Sequence, residues 1–496
     1  MSWRFCGAQQ PPRLARLRSM CWVSCAHRRQ QRPCVAYNDL VLLYFFAINT
    51  QYLVLMLVGF VRTWKALKAW RWGDLRWLTQ SPLTPPISII APAYNEEANI
   101  VQSVRSLLML HYPQFEVVVV NDGSTDGTLR LLIEEFGLRA VERCFDPTVP
   151  CRPIRAVYES REYPTLIVVD KENAGSKADA MNAGLNVTLY PLFCAVDADS
   201  VLEEEALLRV VRPFVEEPGL TVASGGVIRI ANGSEIRAGR MVRVQPPRAS
   251  LPLVQIVEYL RAFFFGRVAW DAWNGLLIIS GAFGVFDKQA VIRVGGYAPD
   301  THGEDIELVV RLHRQLRDDG KPYRIRFAPD AICWTEAPTT LRALRNQRTR
   351  WQRGLIDTLW RHRDMLGRPR YGVIGLVSMP CFLLFEMLGP LVELTGYVLV
   401  PLCFLFGLVD PRFFAAFLGV MVLYSTLTGI TAVFLEDVTF RRHPHLWHLI
   451  VLTVAGLIEN VGYRQINTWW RTVAFLEYRR GNQIWGNMER RGVGKP

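Results

Sequence analysis

EVVVVNDGSTDGTLRLLIEEF, residues 116–136, is a short apolar run of strand type that passes through a polar turn into a helical stretch. Asn, Ser and Asp cap helices and close turns, so this stretch carries its own strand-to-helix junction. The unit recurs on both sides. Apolar runs at 87–91, 116–121, 166–170 and 192–197 alternate with helical stretches at 98–109, 128–136, 177–185 and 203–214. Such alternation predicts an α/β domain over 85–340, with a mostly parallel sheet and helices on both faces. Chemistry in sheets of this kind gathers beyond the carboxyl ends of the strands. The polar motifs of this chain lie at those ends.

Outside the domain the composition changes. Residues 1–38 are rich in Arg, Gln, Pro and Cys without a sustained period and read as a disordered basic tail. They lack the layout of a signal peptide. Residues 39–61 form an almost uncharged apolar stretch long enough to span a bilayer, and Arg62, Trp64, Lys65, Lys68, Trp70 and Arg71 follow at once. Basic and aromatic residues so placed put that end on the cytoplasmic face, which strands the arginine-rich tail outside. One resolution is that residues 1–38 are not native. Residues 253–270 are apolar with Arg261 and Arg267 interspersed and read as an interfacial amphipathic helix. Residues 341–370, strongly basic with Trp351 and Trp360, have an interfacial composition too. Transmembrane helices are expected within 371–463, where Glu386, Pro390 and Glu393 interrupt the first run, and a cytoplasmic basic tail over 464–496.

The chain has 496 residues, 50% of them hydrophobic and 21% charged, a mixture suited to a soluble domain joined to membrane segments. Its net charge of +12 comes largely from arginines beside apolar runs, where anionic lipid headgroups attract them. No aromatic-interleaved basic patch points to nucleic acid. Cys21, Cys25, His27 and Cys34 are too irregularly spaced for a convincing zinc site. Cys194, Cys333, Cys381 and Cys403 sit in apolar surroundings as small hydrophobes.

Asp197-Ala198-Asp199 ends the strand-type run 193–196. Residues two apart in a strand share a face, so both carboxylates can reach one hard cation, Mg2+ or Mn2+, with a diphosphate completing its shell. A solvated turn is the bland alternative, and the position after an apolar strand favours the cation. Ala93-Tyr94-Asn95-Glu96 and Asn121–Asp126 follow the first two strands; either alone reads as a capping turn, and together they can grip a nucleoside. Lys177 opens a helix, where an amine and the positive helix end suit phosphate. An ordinary solvated lysine is the equal alternative. Ser280-Gly281-Ala282-Phe283-Gly284 is a small-residue turn, for packing or for close approach of a sugar. Glu304 and Asp305 begin an amphipathic helix; such residues are common caps, and Asp305 is also the natural base for a sugar hydroxyl. In Gln347-Arg348-Thr349-Arg350-Trp351, Arg350 can neutralise a leaving diphosphate and Trp351 offers a stacking face; anchoring at a membrane surface is the other reading.

The ordered set VNDGSTD, GSKADAMN, DADS, SGAFG, GEDIE and QRTRW resembles the family 2 glycosyltransferases over roughly residues 85–360. It looks most like the processive, membrane-integrated synthases of poly-N-acetylglucosamine, hyaluronan, chitin and cellulose. The resemblance implies a GT-A, Rossmann-like fold, a UDP-sugar donor and inversion at the anomeric carbon. It implies that Asp122 contacts uridine, with Ala93, Tyr94, Glu96 and Lys177 also in the nucleotide-sugar site, and that Asp197 helps hold the nucleotide. Asp199 would bind the metal and Asp305 would act as base. Ser280, Gly281, Glu304, Gln347, Arg350 and Trp351 would line the acceptor and diphosphate site. Asn121 stands where many members have a second Asp, and Gly303 replaces the Thr common before the Glu-Asp pair.

The expected partners are a UDP-sugar, a polysaccharide or lipid acceptor, membrane lipids and export or regulatory proteins, with the chain integral to the cell inner or plasma membrane. Transfer of one sugar to a lipid, and a catalytically silent membrane partner of an export complex, are the competing readings.

Overall fold

The computed structural model describes residues 12–70, 75–237, 240–440 and 446–480. The side chains of residues 12–35, with Cys21, Cys25, His27 and Cys34, lie outside that description, as do those of Lys68, Trp70 and Arg71. Among the described residues the strands are β1 (Ile87–Ala93), β2 (Phe115–Asn121), β3 (Leu138–Val141), β4 (Ile154–Ser160), β5 (Leu166–Lys171), β6 (Leu192–Val196), β7 (Val201–Leu202), β8 (Thr221–Ile230), β9 (Glu235–Arg237), β10 (Arg240–Arg243), β11 (Phe283–Asp287) and β12 (Arg324–Thr335). Ten of them form one sheet in the order β3-β4-β5-β2-β1-β6-β11-β8-β12-β7, and β9 pairs with β10 apart from it.

The four runs read from the sequence as strands are the parallel block β5-β2-β1-β6. Their side chains are buried on both faces, which is why they read as continuous apolar runs instead of alternating ones. Helices Ile100–Leu108, Thr128–Phe136, Lys177–Val187 and Ala206–Glu216 follow β1, β2, β5 and β7. The register sets Ala93 beside Asn121 and Asn121 beside Asp170, so the polar ends of β1, β2 and β5 stand in a row.

The rest of the sheet is mixed, where the sequence predicts a mostly parallel one. β11 runs antiparallel to both β6 and β8, and β8 is parallel to β12. The reversal matters for the site. With Phe283 paired to Val196, the turn Ser280–Gly281–Ala282 before β11 meets Asp197 just after β6.

Among the described residues, four helices are long and apolar enough to cross a membrane: Ala36–Ala66, Ile374–Leu405, Pro411–Val438 and Leu446–Arg479. The first belongs to a helix that begins at Pro12, so much of the stretch offered as a disordered tail is helical, and residues 1–11 lie outside the described ones. Arg62 at its other end donates to the Ala272 carbonyl (3.1 Å), against the catalytic layer.

The fourth candidate is broken at Val461 (φ −118°, ψ 108°) and Gly462 (φ 89°, ψ −60°). Both of its flanks touch the catalytic layer. Glu436, before it, pairs with Arg229 of β8 at 2.7 Å, and the Tyr478 hydroxyl, near its end, bonds Asp357 at 3.4 Å. The segment therefore leaves and returns on the catalytic side. Residues 464–479, expected to begin a tail, form the helix Arg464–Arg479, packed along helix Leu341–Arg361. Charges buried among these helices are paired, as a low-dielectric setting requires: Arg464 with Glu393 at 2.7 Å and Arg261 with Glu459 at 2.5 Å.

Candidate active site

The ends of β1 and β2 are laced together. Asn95 adopts the left-handed conformation (φ 55°) that Asn tolerates. Its Oδ1 accepts from Thr125 N (2.8 Å) while its own N–H donates to Ser124 Oγ (3.0 Å). Glu96 N donates to Thr128 Oγ1 (2.9 Å), and Asp122 N donates to Ala93 O (2.9 Å). Asp122 is buried, and burial raises its pKa despite the opposing effect of Lys171, whose ammonium lies 2.5 Å from Asp122 and 2.7 Å from Asp179. A fully buried lysine thus orients the Asp122 carboxylate. Asn121, in the position of a second Asp, donates from Nδ2 to Asp170 Oδ1 (2.6 Å). Tyr94 stands exposed at the rim.

Past β6 a second group converges. Lys177 Nζ donates to Asp197 and to the Gly281 carbonyl (2.9 Å), and Gly281 N donates to Asp305 Oδ2 (3.3 Å). One relay of contacts therefore joins the carboxylate pair after β6, the small-residue turn and the candidate base. Burial alone would lower the Lys177 pKa, but Asp197, Glu304 and Asp305 outweigh it and hold the amine above its ordinary value. Glu304 is pushed up by burial and by the adjacent Asp305, against Lys177 and Arg350. Asp197, Asp199, Ser280, Gly281, Glu304, Asp305, Lys177, Gln347, Arg350 and Trp351 all line one cavity of about 1370 Å3. Ala93, Tyr94, Glu96 and Asp122 are not among its lining residues and sit at the neighbouring strand ends.

Helix Glu304–Asp318 and helix Leu341–Arg361 bring their motifs together through a glycine contact. A Cβ on Gly303 would lie 2.9 Å from the Gly354 Cα, and one on Gly354 would lie 2.8 Å from the Gly303 Cα. Gly303, which departs from the common Thr, is thus the residue that lets the loop before Asp305 rest on the backbone one turn past Arg350.

Several cavity residues have no motif to announce them. Arg267 is buried in the wall, its pKa brought down to about 10 by burial against the pull of Asp305. His302 precedes the glycine contact and is held below its usual pKa by burial and by Arg353, whose guanidinium reaches its Nε2 at 3.1 Å. The one sequence signal for Arg267 is a charge inside an apolar helical run, which reads equally well as interfacial.

No group of three or more His, Cys, Asp or Glu side chains able to hold a metal occurs among the described residues. The protein offers the paired carboxylates Asp197 and Asp199, the first already engaged by Lys177. That donor set fits Mg2+ or Mn2+, which accept one or two protein carboxylates and take their other ligands from phosphate and water.

Two family models match this chain: Glycosyl transferase family 2 over residues 88–141 and Glycosyl transferase family group 2 over residues 192–427. Over those stretches the chain consists of glycosyltransferase family 2 domains. Its sheet is accordingly of GT-A-like type. Among curated relatives it is similar to poly-beta-1,6-N-acetyl-D-glucosamine synthase of Staphylococcus aureus (strain COL) and of Staphylococcus epidermidis, 29% identical over 275 residues in each case. The match covers 55% of this chain and 56% of each relative, so the chain spans about half the length of the curated relatives it matches. Among solved structures it is similar to the mannosyltransferase PcManGT from Pyrobaculum calidifontis in complex with GDP-Man and Mn2+ (TM-score 0.48, 18% identity, 84% of this chain and 99% of that one). It is also similar to S. aureus TarS 1–349 in complex with UDP-GlcNAc (TM-score 0.35, 15% identity, 80% and 92% covered).

Proposed function

We propose that this family 2 glycosyltransferase uses a UDP-sugar to extend a β-linked polysaccharide at the cytoplasmic membrane face, by inverting hexosyl transfer. The observation that carries the reading is the convergence of Asp197, Asp199, Asp305 and Arg350 on one cavity whose wall continues among the membrane helices through Tyr52, Glu386 and Arg464. That continuity favours a growing chain led from the catalytic layer into the membrane. The name of the curated relatives makes N-acetylglucosamine the first sugar to try as donor.

In this mechanism the ends of β1 and β2, with Asp122 held by Lys171, receive the uridine. Asp199, with Asp197 beside it, would hold a divalent cation, which when bound supplies Lewis-acid stabilisation of the diphosphate. Asp305 takes the proton of the acceptor hydroxyl as that oxygen bonds to the anomeric carbon. The bond from that carbon to the phosphate oxygen breaks on the opposite face, and its electron pair leaves with UDP. Arg350 and Lys177 meet the charge that develops there. An α-linked donor therefore yields a β-linked product.

The test is a panel of UDP-sugars with purified full chain and Mg2+ or Mn2+, scored for UDP release and product size. Release that a chelator abolishes and added metal restores, together with a ladder of products, is expected. A single product size would replace polymer extension by transfer of one sugar to a lipid, and no release from any donor would end the enzymatic reading. Lys177→Met should raise the donor KM by roughly 10–100-fold, the worth of one charge-assisted contact to phosphate. A donor KM that does not move would remove Lys177 from the donor site.

A further inference from the structure

Arg348 lies inside the Gln347–Trp351 motif, yet neither the base nor the diphosphate needs it. It is buried at 4% exposure, and its guanidinium lies 4.5 Å from the centre of the Trp351 ring, one helical turn along. Its NH2 donates to Glu258 Oε2 at 2.7 Å and reaches the Tyr463 hydroxyl at 3.4 Å, and that hydroxyl donates to the same Glu258 oxygen at 2.7 Å. Glu258 ends the helix Ser250–Glu258, and Tyr463 follows the break at Val461–Gly462. Three elements from separate parts of the chain thus hold one guanidinium in place. Glu258, Arg348, Trp351 and Tyr463 all line the catalytic cavity.

A planar guanidinium stacks on an indole face and, when fixed by a carboxylate and a phenol, fixes that ring in turn. We propose that Arg348, clamped by Glu258 and Tyr463, is the positioning residue that sets the indole plane of Trp351 as the platform for the acceptor sugar. Resting on the glycosyl-transfer reading above, this assigns to the clamp the grip on the acceptor and, through it, the number of additions made before the product is released. The re-entrant break at Gly462 then has a use: it delivers Tyr463 to the motif helix.

The test measures KM for the donor and for a short β-1,6-linked N-acetylglucosamine oligosaccharide separately, with product length, in the full chain. Arg348→Ala and Tyr463→Phe should raise the acceptor KM, by roughly tenfold for the first and less for the second, and shorten the products, while the donor KM moves far less. Arg348→Lys keeps a charge for Glu258 but not the planar fork, so it should retain the raised acceptor KM. A lysine variant with wild-type acceptor KM would overturn the stacking role. So would donor and acceptor KM rising together, or an unchanged product length in a folded Tyr463→Phe protein. A wild-type chain that releases no nucleotide from any donor overturns the catalytic reading and this proposal with it. An active wild type with unaltered variants overturns this proposal alone.

Discussion

Asp305→Asn should lower the rate of transfer by about 10²–10⁴-fold, the worth of a positioned general base, and leave UDP binding close to that of the wild type. The carboxylate is held from two sides: Oδ2 accepts from Gly281 N at 3.3 Å and Oδ1 from Ile306 N at 2.8 Å. Asn keeps the size and one acceptor oxygen but has no basic site for the hydroxyl proton. Its amide also sets a donor against a backbone N–H, so a modest loss of stability accompanies the loss of rate. In the proposed mechanism the nucleotide is gripped elsewhere, at the joined ends of β1 and β2 and at Asp197 with Lys177. Single-turnover transfer with labelled donor, set beside UDP calorimetry on the same protein, separates the two effects. Normal turnover would remove Asp305 as base, and parallel loss of UDP binding would make its role structural.

The second large effect is steric. Gly354→Val should reduce kcat by roughly 100-fold, because about 1 Å of displacement between reacting groups costs that much. It should also cost about 1–3 kcal/mol of stability, as overpacking does. The contact at Gly354 is with the backbone of Gly303 and His302, so no side chain can rotate away to relieve it. A Cβ there has to move helix Leu341–Arg361 away from the loop before Asp305, and Arg350 moves with the helix. Gly354→Ala should show the same defect in smaller degree. Steady-state kinetics with thermal unfolding decides the matter: wild-type turnover in a folded Gly354→Val protein would mean that the crossing does not set the separation of base and diphosphate site.

Part of this site is legible in the linear chain because its chemistry is local. The strand-to-helix junctions are written in adjacent residues, and strands buried on both faces announce themselves as apolar runs. The carboxylates of Asp197 and Asp199 follow from a two-residue repeat at the end of one such run. Local pattern misleads where two environments share a composition. Arg267 and Arg261 look alike in the sequence and both line the cavity; the structure sets Arg267 near Asp305 and pairs Arg261 with Glu459. The helix Leu341–Arg361 looks interfacial by composition, while its buried face carries Arg348, Gln352 and Arg353. Nor does the hydropathy that runs through 446–458 reveal that the chain turns at Gly462 and returns.

The amino-acid sequence by itself determined the α/β class, the order of the parallel strands' motifs and the first apolar span, and it singled out Asp305, Lys177, Arg350 and the pair Asp197 and Asp199 as candidates. All of these depend on residues within a few positions of one another, where covalent geometry sets the spacing. Only the tertiary structure decided that β11 runs against β6 and so brings the Gly281 turn to Lys177. It alone showed Gly303 resting on Gly354, and Arg348 closed between Glu258 and Tyr463. Those contacts join residues 51 to 205 positions apart, and what selects them is the packing of whole helices and sheet edges, which no local pattern encodes.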